Sequence, residues 1–194
     1  PPKVKPALTP EEVEQILRAC EGKHWRRLRD KALCLLLLDT GLRIHEAHRL
    51  TVEDAKQEVL LIRGKGGKQR VVFLSAEVHL ALKRYLKACP APLQDNSPLW
   101  QGANGALTLH GLKNAVKAIG KRAGLKRPLG AHAFRRTFAT WRLRNGIDLE
   151  HLRQLMGHSD YAVLRQYLAL VEADLKRAHQ QHSPLNNLRN RKLK

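Results

Sequence analysis

Two short segments pair an arginine with another polar side chain at a spacing that suits phosphate chemistry. Arg43 and Glu46 are three residues apart, and His132 and Arg135 repeat that spacing further along the chain. Residues at i and i+3 lie on one face of a helix. A guanidinium and an imidazole on one face can bind a phosphate through charge and hydrogen bonds. Taken alone, the first pair also fits a surface ion pair, and the second fits two solvated basic residues.

A histidine and a tyrosine form a third polar segment. His158 follows Gly157, and Tyr167 comes nine residues after that histidine. A phenol has a pKa of about 10, so it is a poor nucleophile at neutral pH unless cations and a base lie nearby. The arginines and histidines above would supply both. Without them, a tyrosine in a basic helical segment is typical of the rim of an amphipathic helix.

Two lysines lie in a glycine-rich turn, residues 64–68, between two stretches of strand-like sequence. The stretches cover residues 58–63 and 69–74, and the arrangement predicts a β-hairpin that carries Lys65 and Lys68 at its turn.

The elements around these segments are mainly helical. Thr9 as N-cap, Pro10 at the first helical position and Glu12 in a capping box predict a helix that ends near Gly22. The next helix, Trp25 to Asp39, is apolar almost all round and is predicted to be central to the core. The fold class is therefore α+β, mainly α with a small antiparallel β-hairpin. Further helices are predicted at about 43–50, 75–88, 108–123, 131–145, 148–156, 160–168 and 172–182, with a loop at about 89–106.

The charge of the chain indicates a polyanionic partner. Its 194 residues include 36 Lys and Arg against 17 Asp and Glu, a formal charge of +19. Residues 1–109 carry an excess of +6, whereas residues 110–194 carry +13. On a folded segment this points to nucleic acid, with an acidic membrane surface or protein as the alternative. The longest apolar run, Ala32–Leu38, is far shorter than the roughly 20 residues that span a bilayer.

The sequence has no evident metal or disulfide pattern. Cys20, Cys34 and Cys89 are odd in number and lack CxxC spacing, which predicts buried thiols in a reducing compartment. His45 and His48 are spaced by three rather than four residues, so the HExxH zinc motif is absent, and no carboxylate cluster suggests a two-metal nuclease. We therefore expect no cofactor and no metal.

The motifs, in this order and spacing, resemble the catalytic domain of tyrosine recombinases, which include phage integrases and Xer-type recombinases. They read Thr-Gly-Leu-Arg-x-x-Glu, Gly-Lys-Gly-x-Lys-x-Arg, His-x-x-Arg, Leu-x-Gly-His-Ser, and a tyrosine nine residues after that histidine. The similarity extends from about Leu8 to Leu188. It implies the tyrosine recombinase catalytic-domain fold and metal-independent, site-specific cleavage and rejoining of DNA strands.

The resemblance also implies a role for each matching residue. Tyr167 would attack a DNA phosphodiester, forming a 3′-phosphotyrosyl bond and releasing a 5′-hydroxyl. Arg43 and Arg135 would bind the non-bridging phosphate oxygens and neutralise charge in the transition state. His132 and His158 would complete that shell, with His132 also in proton transfer with the tyrosine hydroxyl.

The hairpin would supply the general acid for the departing 5′-oxygen. Lys65 is favoured because the family's lysine follows the first glycine of Gly-Lys-Gly, and Lys68 is the rival. Glu46 would support the site without doing chemistry. The chain departs from the family at Arg136, where histidine is common, and at residues 164–166, which replace a frequent Thr-rich run.

The expected organisation is a piece of a longer recombinase. Residues 1–8 would be a linker from a missing N-terminal core-binding domain, residues 9–188 the catalytic domain and residues 189–194 a basic tail. The expected partner is double-stranded DNA with a recombination site, bound by a homo-tetramer, the isolated domain being monomeric. Accessory DNA-bending proteins are further candidate partners, and no membrane is expected.

The last expectations concern the location of the protein, its C-terminal helix and the alternative functions. The expected location is the cytoplasm, at the nucleoid, of a bacterium, an archaeon or a phage host. The segment Glu172 to His182 resembles a C-terminal helix that packs either in cis or into a neighbouring protomer. A non-catalytic DNA-binding module and a type IB topoisomerase-like relaxing enzyme are the alternative functions.

Overall fold

The computed structural model describes residues 6–63, 69–157, 167–168, 171–172, 176 and 179. Lys65, Lys68 and His158 lie outside this set, as does most of the sequence in which helices were predicted at about 160–168 and 172–182.

The first helix begins as its sequence predicts. In α1 (Pro10–Ala19), the Glu12 backbone N–H donates to Thr9 Oγ1 at 3.2 Å, and the Thr9 N–H donates to Glu12 Oε2 at 3.0 Å. The two hydrogen bonds satisfy N–H groups that a helix start otherwise leaves unpaired. The helix ends at Ala19, earlier than predicted, because Cys20 already has non-helical backbone angles.

The other helices lie within a few residues of their predicted bounds. The second, α2, ends one residue later than predicted, and the predicted loop at 89–106 contains two strands of two residues each. The bounds are α2 (Trp25–Thr40), α3 (Ile44–His48), α4 (Ala76–Ala88), α5 (Leu109–Arg122), α6 (Ala131–Arg144), α7 (Leu149–Met156), and, for the short strands, β3 (Gln101–Gly102) and β4 (Gly105–Ala106).

The predicted hairpin is formed by β1 (Val59–Arg63) and β2 (Gln69–Phe73). The strands are antiparallel, with Val59 opposite Phe73 and Ile62 opposite Arg70. Successive residues alternate between buried and exposed, as the period of two in a strand requires. Arg70 therefore lies on the buried face of the sheet.

Helix α2 is central to the core, as predicted. Leu33, Leu36 and Leu37 are completely buried, and α2 packs against α4, α5 and α6. Burying each leucine stabilises the fold by roughly 1.5–3 kcal/mol. Two of the three cysteines, Cys20 and Cys34, are buried as predicted, whereas Cys89 is half-buried.

The packing brings the ends of several elements together. Helix α6 contacts both α2 and α7, and β2 contacts α7. Helix α6 thus packs against α2 and α7, and β2 reaches the same region through its contact with α7. Within the described part of the chain, no helix is long and apolar enough to cross a membrane.

Candidate active site

A tight turn after α2 positions the first predicted arginine. Gly41 ends α2 with a left-handed backbone (φ +61°), and Arg43 follows as the N-cap residue of α3. Only glycine adopts this conformation readily. A Cβ at Gly41 would also lie 2.5 Å from Cδ1 of the Phe138 ring, so α6 packs directly against the turn.

Glu46 is a buried carboxylate that two arginines share. Its Oε2 accepts a hydrogen bond from the Arg43 backbone N–H (2.7 Å), and its Oε1 accepts one from Arg43 Nη1 (3.2 Å). Arg70 donates to both oxygens, from Nη1 to Oε1 at 2.8 Å and from Nη2 to Oε2 at 2.6 Å. Arg43 and Glu46 thus do form an ion pair, but Glu46 is only 4 % exposed, so the pair is not a solvated one at the surface.

The charge state of Glu46 follows from these partners. Burial alone would favour the neutral acid, but the hydrogen bonds and charge of Arg70 and the backbone N–H of Arg43 lower the pKa of Glu46 to about 2. The carboxylate is therefore ionised at neutral pH. With Arg43, Arg70 and Arg135 it forms a cluster that retains positive charge.

Arg135 bridges the ends of two helices. Its Nη1 donates to the carbonyl of Gly41 at 2.5 Å, and its Nη2 donates to the carbonyl of Met156, the last residue of α7, at 2.6 Å. Carbonyls at helix C-termini carry partial negative charge, which suits a guanidinium. The side chain is buried, with 3 % of the residue exposed, so the alternative of two solvated basic residues is wrong for Arg135, whereas His132 is exposed.

Arg135 remains a cation at neutral pH. Burial and the positive charge of Arg43 lower its pKa to about 10, while the negative charge of Glu46 opposes that shift. A buried charge interacts more strongly with a ligand than an exposed one, because less water screens it.

His132 lies one turn before Arg135 on α6, at the solvent edge of the cluster. Partial desolvation, followed by the positive charges of Arg135, Arg136 and Arg43, lowers the pKa of His132. The imidazole is therefore neutral more often at a given pH than a free histidine. In the neutral form one ring nitrogen can accept a proton.

Tyr167 packs against α6 and α7 beside this cluster. It is 8 % exposed and belongs to a small apolar group with Phe138, Ala139, Leu152 and Met156. Burial lowers the pKa of Arg136, and charge on the Tyr167 phenol opposes that effect. The same phenol acts on Arg135 in the same direction. The phenol thus lies within electrostatic range of both guanidinium groups.

The described residues therefore bring together Arg43, Glu46, His132, Arg135 and Tyr167. Lys65, Lys68 and His158 lie outside the described residues, but the segments next to them border the cluster. Gly157, immediately before His158, ends α7 with a left-handed backbone (φ +62°).

Sequence reasoning missed the role of one residue, Arg70. It is the arginine of Gly-Lys-Gly-x-Lys-x-Arg, and no function was predicted for it. Period-two alternation places Arg70 on the same strand face as Val72, but it does not show that this face is buried, because Val71 and Phe73 on the other face are as apolar. A charged residue on a buried strand face needs a partner of opposite charge.

Comparisons with known proteins identify the class to which this fold and site belong. A model described as the phage integrase family matches residues 6–173. The chain therefore belongs to the phage integrase family. The predictions of family and fold class are confirmed.

Curated relatives carry tyrosine recombinase names. Tyrosine recombinase XerD of Listeria innocua serovar 6a is 31 % identical over 181 residues, which cover 90 % of this chain and 61 % of the relative. Tyrosine recombinase XerD of Pseudomonas putida is 33 % identical over 184 residues, covering 92 % and 62 %. The chain thus spans about three fifths of the length of these relatives.

Solved structures agree with this assignment. The XerA recombinase superposes with a TM-score of 0.76 at 27 % identity, covering 95 % of this chain and 67 % of that chain. The XerH site-specific recombinase, bound to a palindromic difH substrate after cleavage, gives a TM-score of 0.74 at 30 % identity, covering 95 % and 54 %. The fold is that of tyrosine recombinase catalytic domains.

Proposed function

We propose that the chain is the catalytic domain of a site-specific DNA recombinase that cuts and rejoins strands through Tyr167. The observation that carries the proposal is the packing of Tyr167 against Phe138 and Met156, within electrostatic range of the buried guanidinium of Arg135, in a domain of the phage integrase family. A nucleophile beside a fixed cation suits attack on a phosphodiester, whose transition state gains negative charge.

The proposed reaction is a transesterification. The Tyr167 oxygen attacks the phosphorus, its proton passes to His132, and the bond from phosphorus to the 5′-oxygen breaks. The departing 5′-oxygen takes a proton from Lys65, with Lys68 as the rival donor. The 3′-phosphotyrosyl bond preserves the energy of the cleaved bond, so a 5′-hydroxyl can later attack it and rejoin a strand.

Arg43 and Arg135 bind the non-bridging oxygens in this proposal, and His158 completes the set. A planar guanidinium can donate two parallel hydrogen bonds to a phosphate, which an ammonium cannot do. Arg135 is held by the carbonyls of Gly41 and Met156. Because it is already ordered, little reorganisation is needed when negative charge develops.

We further propose double-stranded DNA as the partner and a homo-tetramer as the active assembly, with DNA-bending proteins as accessory partners. The DNA-bound XerH structures support the first of these. A DNA-processing role also supports a location at the bacterial nucleoid.

The proposed domain boundaries place a linker at 1–8, the catalytic domain at 9–188 and a tail at 189–194. The last residues of the proposed linker already contact the catalytic domain. Leu8 is buried, and its backbone N–H donates to Thr137 Oγ1 at 2.8 Å. Arg127 Nη2 donates to the Ala7 carbonyl at 2.9 Å. The chain is thus already anchored to the domain at residues 7 and 8.

The test is covalent capture of DNA. The protein is incubated with nicked duplexes drawn from a random-sequence pool, in which loss of the short fragment traps the cleaved state, and adducts are separated under denaturing conditions. We expect adducts with the wild type and none with Tyr167→Phe, while DNA binding is retained. Tyr161→Phe is the matched control, because it removes one hydroxyl from a tyrosine six residues away.

The other outcomes identify the alternatives. An adduct that persists in Tyr167→Phe would contradict the assignment. Salt-sensitive DNA binding with no adduct on any duplex of the pool would indicate a non-catalytic module. Relaxation of supercoiled plasmid without strand exchange between duplexes would indicate a type IB topoisomerase-like enzyme.

A further inference from the structure

Arg70 connects three parts of the candidate site. It lies on β2, its side chain is 6 % exposed, and it forms a bidentate ion pair with Glu46 on α3. Its Nε also donates to the carbonyl of Leu155 on α7 at 3.0 Å. A single side chain thus joins the hairpin, the helix that follows Arg43 and the helix that precedes His158.

The Arg70 side chain has little room to move where it contacts the end of α7. A Cβ at Gly157 would lie 2.7 Å from Cδ of Arg70, so the guanidinium stem packs directly against the turn. The same glycine has a left-handed backbone, which disfavours any other residue. Arg70 is therefore fixed from both sides, by the carboxylate and by the turn.

The Arg70–Glu46 ion pair also determines how freely the Arg43 guanidinium can bind another anion. Glu46 carries one negative charge and contacts both arginines. With Arg70 in place, the negative charge of Glu46 is shared between the two arginines. Arg70 makes two hydrogen bonds to the carboxylate, whereas the Arg43 side chain makes a single one of 3.2 Å. Without Arg70, the carboxylate would have Arg43 as its remaining charged partner among these three residues. It would then compete with a phosphate for the Arg43 guanidinium.

We propose that Arg70 is a positioning residue that offsets the charge of Glu46 and so keeps the Arg43 guanidinium available to the scissile phosphate. This inference rests on the proposed function, since it assigns Arg70 a part in the same reaction. Arg70 does not touch the DNA in this scheme. It acts through Glu46 on Arg43.

The first measurement is the single-turnover cleavage rate of Arg70→Gln on a nicked duplex. We expect a loss on the order of 10- to 100-fold, less than the roughly 100- to 1,000-fold typical when a group that contacts the transition state is removed. Arg29→Gln is the matched control for folding. Arg29 is also a buried arginine with a carboxylate partner, Asp30 at 2.7 Å, and its Nη1 donates to the Gln101 carbonyl at 2.8 Å. We expect this control to retain a cleavage rate close to that of the wild type.

Two readouts separate charge compensation from a merely structural role. The first uses a duplex whose scissile phosphate is a methylphosphonate, which is neutral and needs less cationic stabilisation. On this substrate Arg70→Gln should cleave at close to the wild-type rate, so the loss seen on the phosphodiester should largely disappear. The second is the double variant Glu46→Gln with Arg70→Met, which removes both charges and should cleave faster than Arg70→Met alone.

The outcomes distinguish this inference from the proposed function. If the wild type forms no Tyr167-dependent adduct, the proposed function fails first. If adducts form but Arg70→Gln cleaves at the wild-type rate, the inference on Arg70 is wrong. Equal losses on both substrates, with no rescue in the double variant, would also overturn it. If Arg70→Gln does not fold, Arg70→Met gives the same comparison, because it also removes the charge that offsets Glu46 while keeping an unbranched side chain.

Discussion

Replacing Gly41 by alanine tests how the turn after α2 holds the site together. The new Cβ would lie 2.5 Å from Cδ1 and 2.8 Å from Cγ of the Phe138 ring, closer than carbon atoms approach in folded proteins. The left-handed backbone adds a cost of about 1–2 kcal/mol for a residue with a Cβ. Overpacking of a core adds about 1–3 kcal/mol. We therefore expect Gly41→Ala to lower the free energy of unfolding by roughly 2–5 kcal/mol.

A substitution at a second glycine measures the backbone cost separately from the overpacking cost. Gly124 has almost the same backbone angle (φ +68°, against +61° at Gly41), but a Cβ there would meet nothing within 4 Å. Gly124→Ala therefore carries the backbone cost alone. The difference between the two variants in urea unfolding should be about 1–3 kcal/mol, and Phe138→Leu in the Gly41→Ala background should recover part of it.

The result that would refute this reasoning is a Gly41→Ala variant that is no less stable than Gly124→Ala. The turn would then accommodate the methyl group by a small shift of Phe138. A displaced turn should also slow DNA cleavage, because the Gly41 carbonyl accepts the hydrogen bond from Arg135. Cleavage and stability should thus fall together in Gly41→Ala, whereas Gly124→Ala should retain its cleavage rate.

Two further predictions concern the charged groups. The pKa of Glu46 is about 2 in the fold against 4.5 as the reference value, so its ionisation contributes about 3 kcal/mol of stability above pH 4.5, lost as the pH falls towards 2. Urea unfolding between pH 6 and pH 2 should show this loss in the wild type and a smaller one in Glu46→Gln; parallel curves would contradict the assignment. Arg135→Lys should reduce single-turnover cleavage by about 100-fold or more, since an ammonium cannot bridge Gly41 and Met156; a change below 10-fold would contradict a phosphate-binding role.

The helices could be predicted from the sequence because their signals are local. The capping box of Thr9 and Glu12 operates within four residues, and the structure contains both of its hydrogen bonds. The all-round apolar sequence of α2 likewise indicates a central helix without knowledge of what surrounds it. Such signals depend on helix periodicity and backbone hydrogen bonding, which do not require contacts distant in sequence.

The surroundings of the site could not be predicted in the same way. The i, i+3 spacing put Arg43 and Glu46 together correctly, but it does not reveal that Glu46 is buried. That burial depends on Arg70, which is 24 residues away in sequence. Nor does the hairpin pattern settle which strand face is buried, because Val71 and Phe73 on the exposed face are as apolar as Val72 on the other. Only the packing of β2 against α7 decides it.

Arg135 links the stability of this domain to its proposed chemistry. Its guanidinium ties the last carbonyl of α7 to the turn that ends α2, two points that are 115 residues apart in sequence. Partial negative charge at those helix ends offsets part of the cost of burying a cation. The pKa of about 10 leaves Arg135 protonated at neutral pH despite that burial. The arrangement therefore fixes a positive charge within electrostatic range of Tyr167 before any phosphate binds, which is the condition under which electrostatic stabilisation of a transition state is most effective.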